Sequence, residues 1–410
     1  MPLSQVLKIR NNSIIIFFAQ IISLFLNIIS ISLAARYLGV DVFGKFNYLL
    51  AIIGISAKIF DFGFNPIIFR ELSQKSNNGK YLGSVFIFRT IIVLLVVCLF
   101  SFIGYLSNLS ALQISLIAIL SFNILLSNKF TNIRELVTIP FKVDLKMYIP
   151  MYMIMLDNVL FLSFVLLMPL FEGGIYYFGI IYTLSNLPGM VILSFVLLKQ
   201  YDFEFKFKLD EIKYLFKESL PLMGYIIFAV VYVQIDVLLL EYFSGSSSVG
   251  IYSSVLRLII PLKLIPNITV ITLFSLIVKN IGHNNQNEQI VKFVTKLFFL
   301  FSVAFSAFMF AGAKDIVLLV FGSKYEEAYL PLQILSLSIF FDIFSFFILD
   351  LFTAYKNQKY NFYYVIIVTF VILFSNILLI PSYNYVGASV SRFISAFIGY
   401  IFLVYILNKK

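Results

Sequence analysis

Hydrophobic positions in this 410-residue chain gather into long runs instead of alternating with polar ones. The apolar runs cover residues 13–35, 44–63, 84–107, 111–128, 147–171, 174–198, 219–241, 249–278, 289–312, 330–353, 360–381 and 385–407. Most are close to the ~20 residues that an α-helix needs to cross ~30 Å of hydrocarbon. None has the ~10-residue alternating pattern of a membrane β-strand. Twelve runs predict about twelve transmembrane helices in an all-α polytopic membrane protein. The first run follows Lys8 and Arg10 as a signal peptide would, but it is longer than a signal core and is read as a span. The run at 249–278 contains Pro261 and Pro266, which predict a bend.

The pattern breaks once. Lys199 to Glu218 (KQYDFEFKFKLDEIKYLFKE) holds ten charged residues and separates six runs from six. Charge of that density stays in water, so the stretch is expected to be a solvated cytoplasmic linker. Acids and bases three to four apart in Glu211–Glu218 predict a short surface helix there. The expected organisation is an N-terminal lobe at 1–198, the linker at 199–218 and a C-terminal lobe at 219–410.

The two halves look duplicated. Phe43-Gly44-Lys45-Phe46 aligns with Val249-Gly250-Ile251-Tyr252 at an offset of 206, and Tyr177-Phe178-Gly179 with Tyr385-Val386-Gly387 at 208. Arg89 and Lys296 are 207 apart and Lys58 and Lys263 are 205 apart. Transporters are often built from such repeats, with the substrate site between the halves near the bilayer midplane.

Composition narrows the chemistry. The chain is 61% hydrophobic and 12% charged, with a mean hydropathy of +0.99. A single cysteine, Cys98, excludes a disulfide framework and a cysteine metal cluster. The one histidine, His283, makes a histidine metal site or catalytic triad untenable. With no tryptophan, interfacial anchoring falls to the 25 tyrosines. The net charge of +10 is largely a matter of topology. Loop Lys and Arg crowd one side, while the other carries only Arg36, Lys45, Lys314 and Lys324. That asymmetry places both termini and the linker in the cytoplasm, and nucleic acid is not an expected partner.

Ten charges remain at or inside the runs. Lys58, Arg89, Arg257, Lys263, Lys296 and Arg392 are basic; Asp61, Asp157, Asp236 and Asp342 are acidic. A charge at the bilayer centre costs at least ~3 kcal/mol on insertion scales, so it usually faces a polar cavity or a partner. Lys58 and Asp61, three apart, are placed to pair, and Arg89 and Lys296 sit near enough to the cytoplasm to snorkel. Arg257, Lys263 and Arg392 lie deeper. A cavity ringed by these bases would concentrate anionic solutes, and arginine is suited to phosphate oxygens. The acids are expected to partner the bases or to carry a coupling ion. No cofactor is expected beyond a proton or sodium gradient, and no covalent chemistry.

Several strings resemble Wzx-type polysaccharide flippases. They are Arg36-Tyr37-Leu38-Gly39-Val40-Asp41-Val42-Phe43-Gly44 and Asp61-Phe62-Gly63-Phe64 with Arg70-Glu71. In the second half they are Pro221, Asp236, Val249-Gly250-Ile251-Tyr252, Arg257, Val320-Phe321-Gly322-Ser323-Lys324-Tyr325, Leu330-Pro331 and Val386-Gly387-Ala388-Ser389. The resemblance implies a MATE-like fold of two six-helix lobes, within the multidrug/oligosaccharidyl-lipid/polysaccharide exporter superfamily. It implies a non-enzymatic task, moving undecaprenyl-pyrophosphate-linked oligosaccharide units to the periplasmic leaflet for O-antigen or another surface polysaccharide. The implied setting is the bacterial inner membrane, with the polysaccharide polymerase machinery as a further partner. Twelve runs separate the chain from the fourteen-span lipid II branch. The alternative is an ion-coupled exporter of another amphiphilic or cationic molecule on the same fold. Polymerases, ligases and membrane glycosyltransferases would need a large outer loop or soluble domain that these short loops do not offer.

Overall fold

The computed structural model describes residues 3–74, 81–130, 132–201, 203–260, 284–355 and 357–409. Pro261, Lys263, Pro266 and His283 lie outside the described residues. Helices account for nearly all of the described chain, which contains no strand. In the first half they are α1 (Leu3–Leu38), α2 (Val40–Ile59), α3 (Phe64–Gln74), α4 (Leu82–Leu106), α5 (Ala111–Ser121) and α6 (Asn123–Leu126). There follow α7 (Ile133–Val143), α8 (Tyr148–Leu166), α9 (Ile175–Leu184) and α10 (Leu187–Gln200). The rest are α11 (Leu209–Ile259), α12 (Asn284–Ala311), α13 (Ala313–Phe321), α14 (Tyr329–Ala354) and α15 (Lys359–Asn408).

Eight of the described helical segments are long and apolar enough to cross a bilayer. The 51-residue α11 and the 50-residue α15 are each about 75 Å long at 1.5 Å per residue, far beyond one crossing. Each is broken at one residue with positive φ, Gly245 (φ 77) in α11 and Asn384 (φ 49) in α15. Taking each broken helix as two crossings, the bent pair Thr295–Ala311 with Ala313–Phe321 as one, and Ala111–Leu126 as one, the number reaches twelve. Six precede the charged stretch and six follow it. The chain is a multi-pass membrane protein.

The fold divides into two compact units. One comprises Met1–Leu38 and Leu49–Val230, the other Gly39–Tyr48 and Val231–Lys410. In the first, α1 packs on α8, α4 on α5, α5 on α9, and α8 on α10. In the second, α14 packs on both α12 and α15.

Two segments expected as loops are amphipathic helices. α3 and α7 pack together, and Phe64, Ile67, Ile68, Leu136 and Ile139 form a core with Leu82 and Val85 of α4. Ile212 and Leu215 complete it from the start of α11. The charged stretch at 199–218 is therefore docked, not a free linker. Ser84 Oγ donates to the Lys206 carbonyl at 3.0 Å and to Glu211 Oε2 at 2.6 Å. Phe203 and Phe205 meet the ring of Phe86 at 6.1 and 5.8 Å. Lys206, Lys208, Asp210, Lys213 and Lys217 point outward and are exposed, as charge of that density requires. Ile212, Leu215 and Phe216 between them pack into the core with α3, α4 and α7, while Phe207 and Leu209 stay exposed. The short helix expected at Glu211–Glu218 is present as the first turns of α11.

In the second unit the start of α2 crosses the later part of α11 with almost no space between backbones. A Cβ on Gly44 would stand 1.8 Å from the Ser246 carbonyl oxygen, and one on Gly250 would stand 2.1 Å from the Val40 carbonyl oxygen. Small residues at membrane helix crossings permit such approach. Shifted by the offset of 206 read between the motifs, the contact 44–246 becomes 250–40 with its partners exchanged. That reciprocity is what a two-fold-related pair of equivalent segments makes.

Candidate functional site

Charge inside the apolar helices is organised around arginine. In the first unit α2 ends at Ile59 and the chain turns through Phe62, whose φ is 53°. Asp61 therefore leaves the helix, and its expected i,i+3 partnership with Lys58 does not form. It pairs instead with Arg89 of α4 at 2.6 Å. The Arg89 guanidinium also donates to Asn65 Oδ1 (2.8 Å), the Asn132 carbonyl (3.1 Å) and the Asp61 carbonyl (3.0 Å). Asn65 Nδ2 returns to Asp61 Oδ1 at 3.1 Å. Arg89 is 0% exposed. The snorkelling expected of it is absent, and a fully enclosed guanidinium lines no cavity in this conformation.

A second buried pair in the same unit joins α7 to α8. Arg134 meets Asp157 at 2.5 Å and donates to the carbonyls of Leu126 (3.1 Å) and Asn186 (3.3 Å). Gly189 of α10 allows the approach, because a Cβ there would stand 2.1 Å from Asp157 Oδ1 and 2.7 Å from Arg134 Nη2. Arg134 escaped the sequence reading because it falls between runs and looks like a loop cation. The usable signal was the apolar spacing of Ile133, Leu136, Val137 and Phe141, which sets a helix with Arg134 beside its buried face.

The third pair holds the second unit together. Arg392 Nε donates to Asp236 Oδ2 at 2.6 Å, and Nη2 meets the same oxygen at 2.5 Å. Tyr252 donates its hydroxyl proton to that oxygen, and Asn376 Nδ2 donates to Asp236 Oδ1 at 2.7 Å. The four side chains come from both halves of α11 and both halves of α15. Each lies seven to nine residues from a break, at Gly245 or Asn384. The breaks themselves are tied by Ser244 Oγ, which donates to Asn384 Oδ1 at 3.0 Å. Arg392 also lies 5.4 Å from the centre of the Tyr232 ring. Both Asp236 oxygens are occupied, and a coupling ion at Asp236 would have to displace the guanidinium. Arg392, expected to face a cavity, is enclosed by its own acid. Asp342 of α14 is buried in this unit.

Arg257 differs from the other three. It is half-buried in the later part of α11, and its Nη2 donates to Asn47 Oδ1 of α2 at 2.8 Å. Among the described residues no carboxylate pairs with it. Asn47 is buried, and its own Nδ2 donates to the Phe43 carbonyl at 2.8 Å. Of the remaining expected cations, Lys58 is half-buried in the last turn of α2 and Lys296 is exposed on α12. The structure thus separates the expected cluster. Arg89 and Arg392 are each paired with an aspartate within their own unit, while Arg257 meets a neutral amide.

The fold is similar to that of a flippase and of multidrug transporters of known structure. The chain matches the lipid II flippase MurJ in an inward closed conformation with a TM-score of 0.76 at 17% identity, over 97% of this chain and 87% of that one. It matches a mutant of the Vibrio cholerae MATE transporter VcmN with a TM-score of 0.66 at 14% identity, over 99% and 98%. It matches an inward-facing multidrug resistance MATE family transporter with a TM-score of 0.69 at 12% identity, over 97% and 98%. Such identities establish the fold alone. No curated protein sequence matches the chain. The sequence profile of the family described as "polysaccharide biosynthesis protein" matches residues 9–275, and the chain belongs to that family.

Proposed function

We propose that this protein is a flippase. Its cargo is an undecaprenyl-pyrophosphate-linked oligosaccharide repeat unit, carried from the cytoplasmic to the periplasmic leaflet of a bacterial inner membrane for O-antigen or another surface polysaccharide. Both termini are cytoplasmic, and the delivered unit passes to a polymerase. The observation that carries the reading is Arg257, a half-buried guanidinium on an apolar helix with a neutral amide as its partner. An embedded cation without a carboxylate is costly in a membrane and is retained where an anion visits. A pyrophosphate supplies that anion, and guanidinium oxygen-binding geometry suits it. The polyprenyl tail stays in lipid while the headgroup passes through the protein. Family membership and the transporter fold support the same reading, and alternating access by rearrangement of the units requires no bond to be made or broken.

Coupling to a proton or sodium gradient falls to Asp157 or Asp342: Asp157 meets Arg134 through Oδ2 alone, whereas both oxygens of Asp236 are occupied. The test is genetic and chemical. Deleting the gene in a producing strain should abolish surface polymer and leave lipid-linked single units on the cytoplasmic face. Units that accumulate on the periplasmic face instead would refute the flippase reading and indicate a later step.

A further inference from the structure

Three arginines in this protein are neutralised by aspartate: Arg89 by Asp61, Arg134 by Asp157 and Arg392 by Asp236. At the fourth, the equivalent place is taken by Asn47, the amide analogue of aspartate. The Asn47 side chain is held in one sense, because its Nδ2 donates to the Phe43 carbonyl at 2.8 Å and leaves only Oδ1 to face the guanidinium. The helix carrying it is in turn fixed against α11 by the Gly44 and Gly250 crossing, where there is no space for a side chain. Phe43, one turn before Asn47, packs edge-on against Tyr325 at 6.2 Å.

We infer that Asn47 is a positioning residue that aims the Arg257 guanidinium while leaving its charge uncompensated, and so keeps it available to a pyrophosphate or other phosphate-bearing lipid headgroup. The inference rests on the flippase reading for the identity of the anion, but not for the state of Arg257. An amide accepts one hydrogen bond without cancelling charge, so an arriving anion adds its attraction to a guanidinium already oriented. A carboxylate at the same place would make a fourth closed ion pair. An anion would then have to break a partly desolvated pair before binding, which is strongly unfavourable.

The consequence runs against a purely structural role. If Asn47 served only to hold two helices together, Asn47→Asp would keep or strengthen the link and preserve function, and Asn47→Ala would be the damaging change. An uncompensated guanidinium at Arg257 gives the reverse order. Asn47→Asp exchanges the bond to the Phe43 carbonyl for an ion pair with Arg257, so it should still fold and insert but abolish transport. Asn47→Ala should lower transport through lost orientation while leaving a reactive guanidinium.

The test uses the full-length protein in nanodiscs with phenylglyoxal, which modifies accessible guanidinium groups, and peptide mass mapping of the sites modified. Arg257 should be labelled in the parent and in Asn47→Ala, and Arg89, Arg134 and Arg392 should be spared. In Asn47→Asp, labelling of Arg257 should fall by about ten-fold or more, as a pairing energy above ~1.4 kcal/mol requires. Equal labelling in Asn47→Asp and the parent overturns the inference. The anion is tested separately by adding geranylgeranyl pyrophosphate to the labelling reaction. Protection of Arg257 supports both readings. Labelling suppressed by Asn47→Asp without protection by the pyrophosphate lipid upholds the positioning role and refutes the assignment of that anion.

Discussion

Replacing Arg392 with alanine should destabilise the protein before it affects transport. The substitution leaves Asp236, 0% exposed, with Asn376 and the Tyr252 hydroxyl but no counter-charge. It also frees the Tyr232 and Val233 carbonyls, each of which accepts from Arg392 at 3.3 Å. Removing one partner of a buried pair typically costs 3–5 kcal/mol, roughly two to three and a half powers of ten in the folding equilibrium. Because the cluster ties both halves of α11 to both halves of α15, the loss should fall on the whole second unit. The assay is the amount of monodisperse protein recovered from membranes and its thermal unfolding in detergent, for Arg392→Ala, Asp236→Asn, and a double variant Asp236→Leu with Arg392→Met. Each single change should sharply reduce recovery, and the double should regain much of it because no buried charge is left unpaired. An Arg392→Ala protein with parental yield and unfolding temperature but no transport would refute the structural role and restore Arg392 to the substrate path.

Further outcomes follow from the same geometry. Gly250→Ala and Gly44→Ala should each reduce recovered protein, since the added methyl meets a backbone carbonyl oxygen at 2.1 or 1.8 Å; parental yields in both would contradict the close crossing. Reporter fusions after Lys146, Lys213 and Asn357 should read cytoplasm, and fusions after Asn108, Ser246, Lys324 and Asn384 periplasm; a reversal in the middle of the series would break the twelve-span topology. If an acid carries the coupling ion, Asp157→Asn or Asp342→Asn should flatten the response of vesicle transport to an imposed proton or sodium gradient. A full gradient response in both variants would remove the two from that role.

The length and number of the spans were legible because hydrocarbon thickness fixes the length of each run, whatever its side chains. The long helices α11 and α15 confirm the point. Their breaks at Gly245 and Asn384 coincide with the gaps between runs at 241–249 and 381–385. The helices α3 and α7 were less visible, since eleven amphipathic residues make a weak signal beside runs of twenty. The embedded charges were also legible as a set, but not their pairing. Arg89 and Asp61 are 28 residues apart, Arg392 and Asp236 are 156 apart, and Arg257 and Asn47 are 210 apart. A sequence shows that a charge lies in an apolar run; only the packing shows which acid meets it. Asn47 could not be singled out at all, because a neutral amide in a polar-rimmed helix carries no charge signal. Its meaning depends on the arginine opposite.

On the proposed function, an uncompensated guanidinium at Arg257 receives the pyrophosphate headgroup of a lipid-linked oligosaccharide. The most direct measurement is translocation of a fluorescent polyprenyl-pyrophosphate-linked saccharide across proteoliposomes containing the full-length protein, read by quenching from one side. Parental protein should translocate the lipid, Arg257→Lys should retain a part of the rate, and Arg257→Ala, incorporated to the same level, should fall to that of empty liposomes. Parental rates from a well-incorporated Arg257→Ala protein would contradict the account.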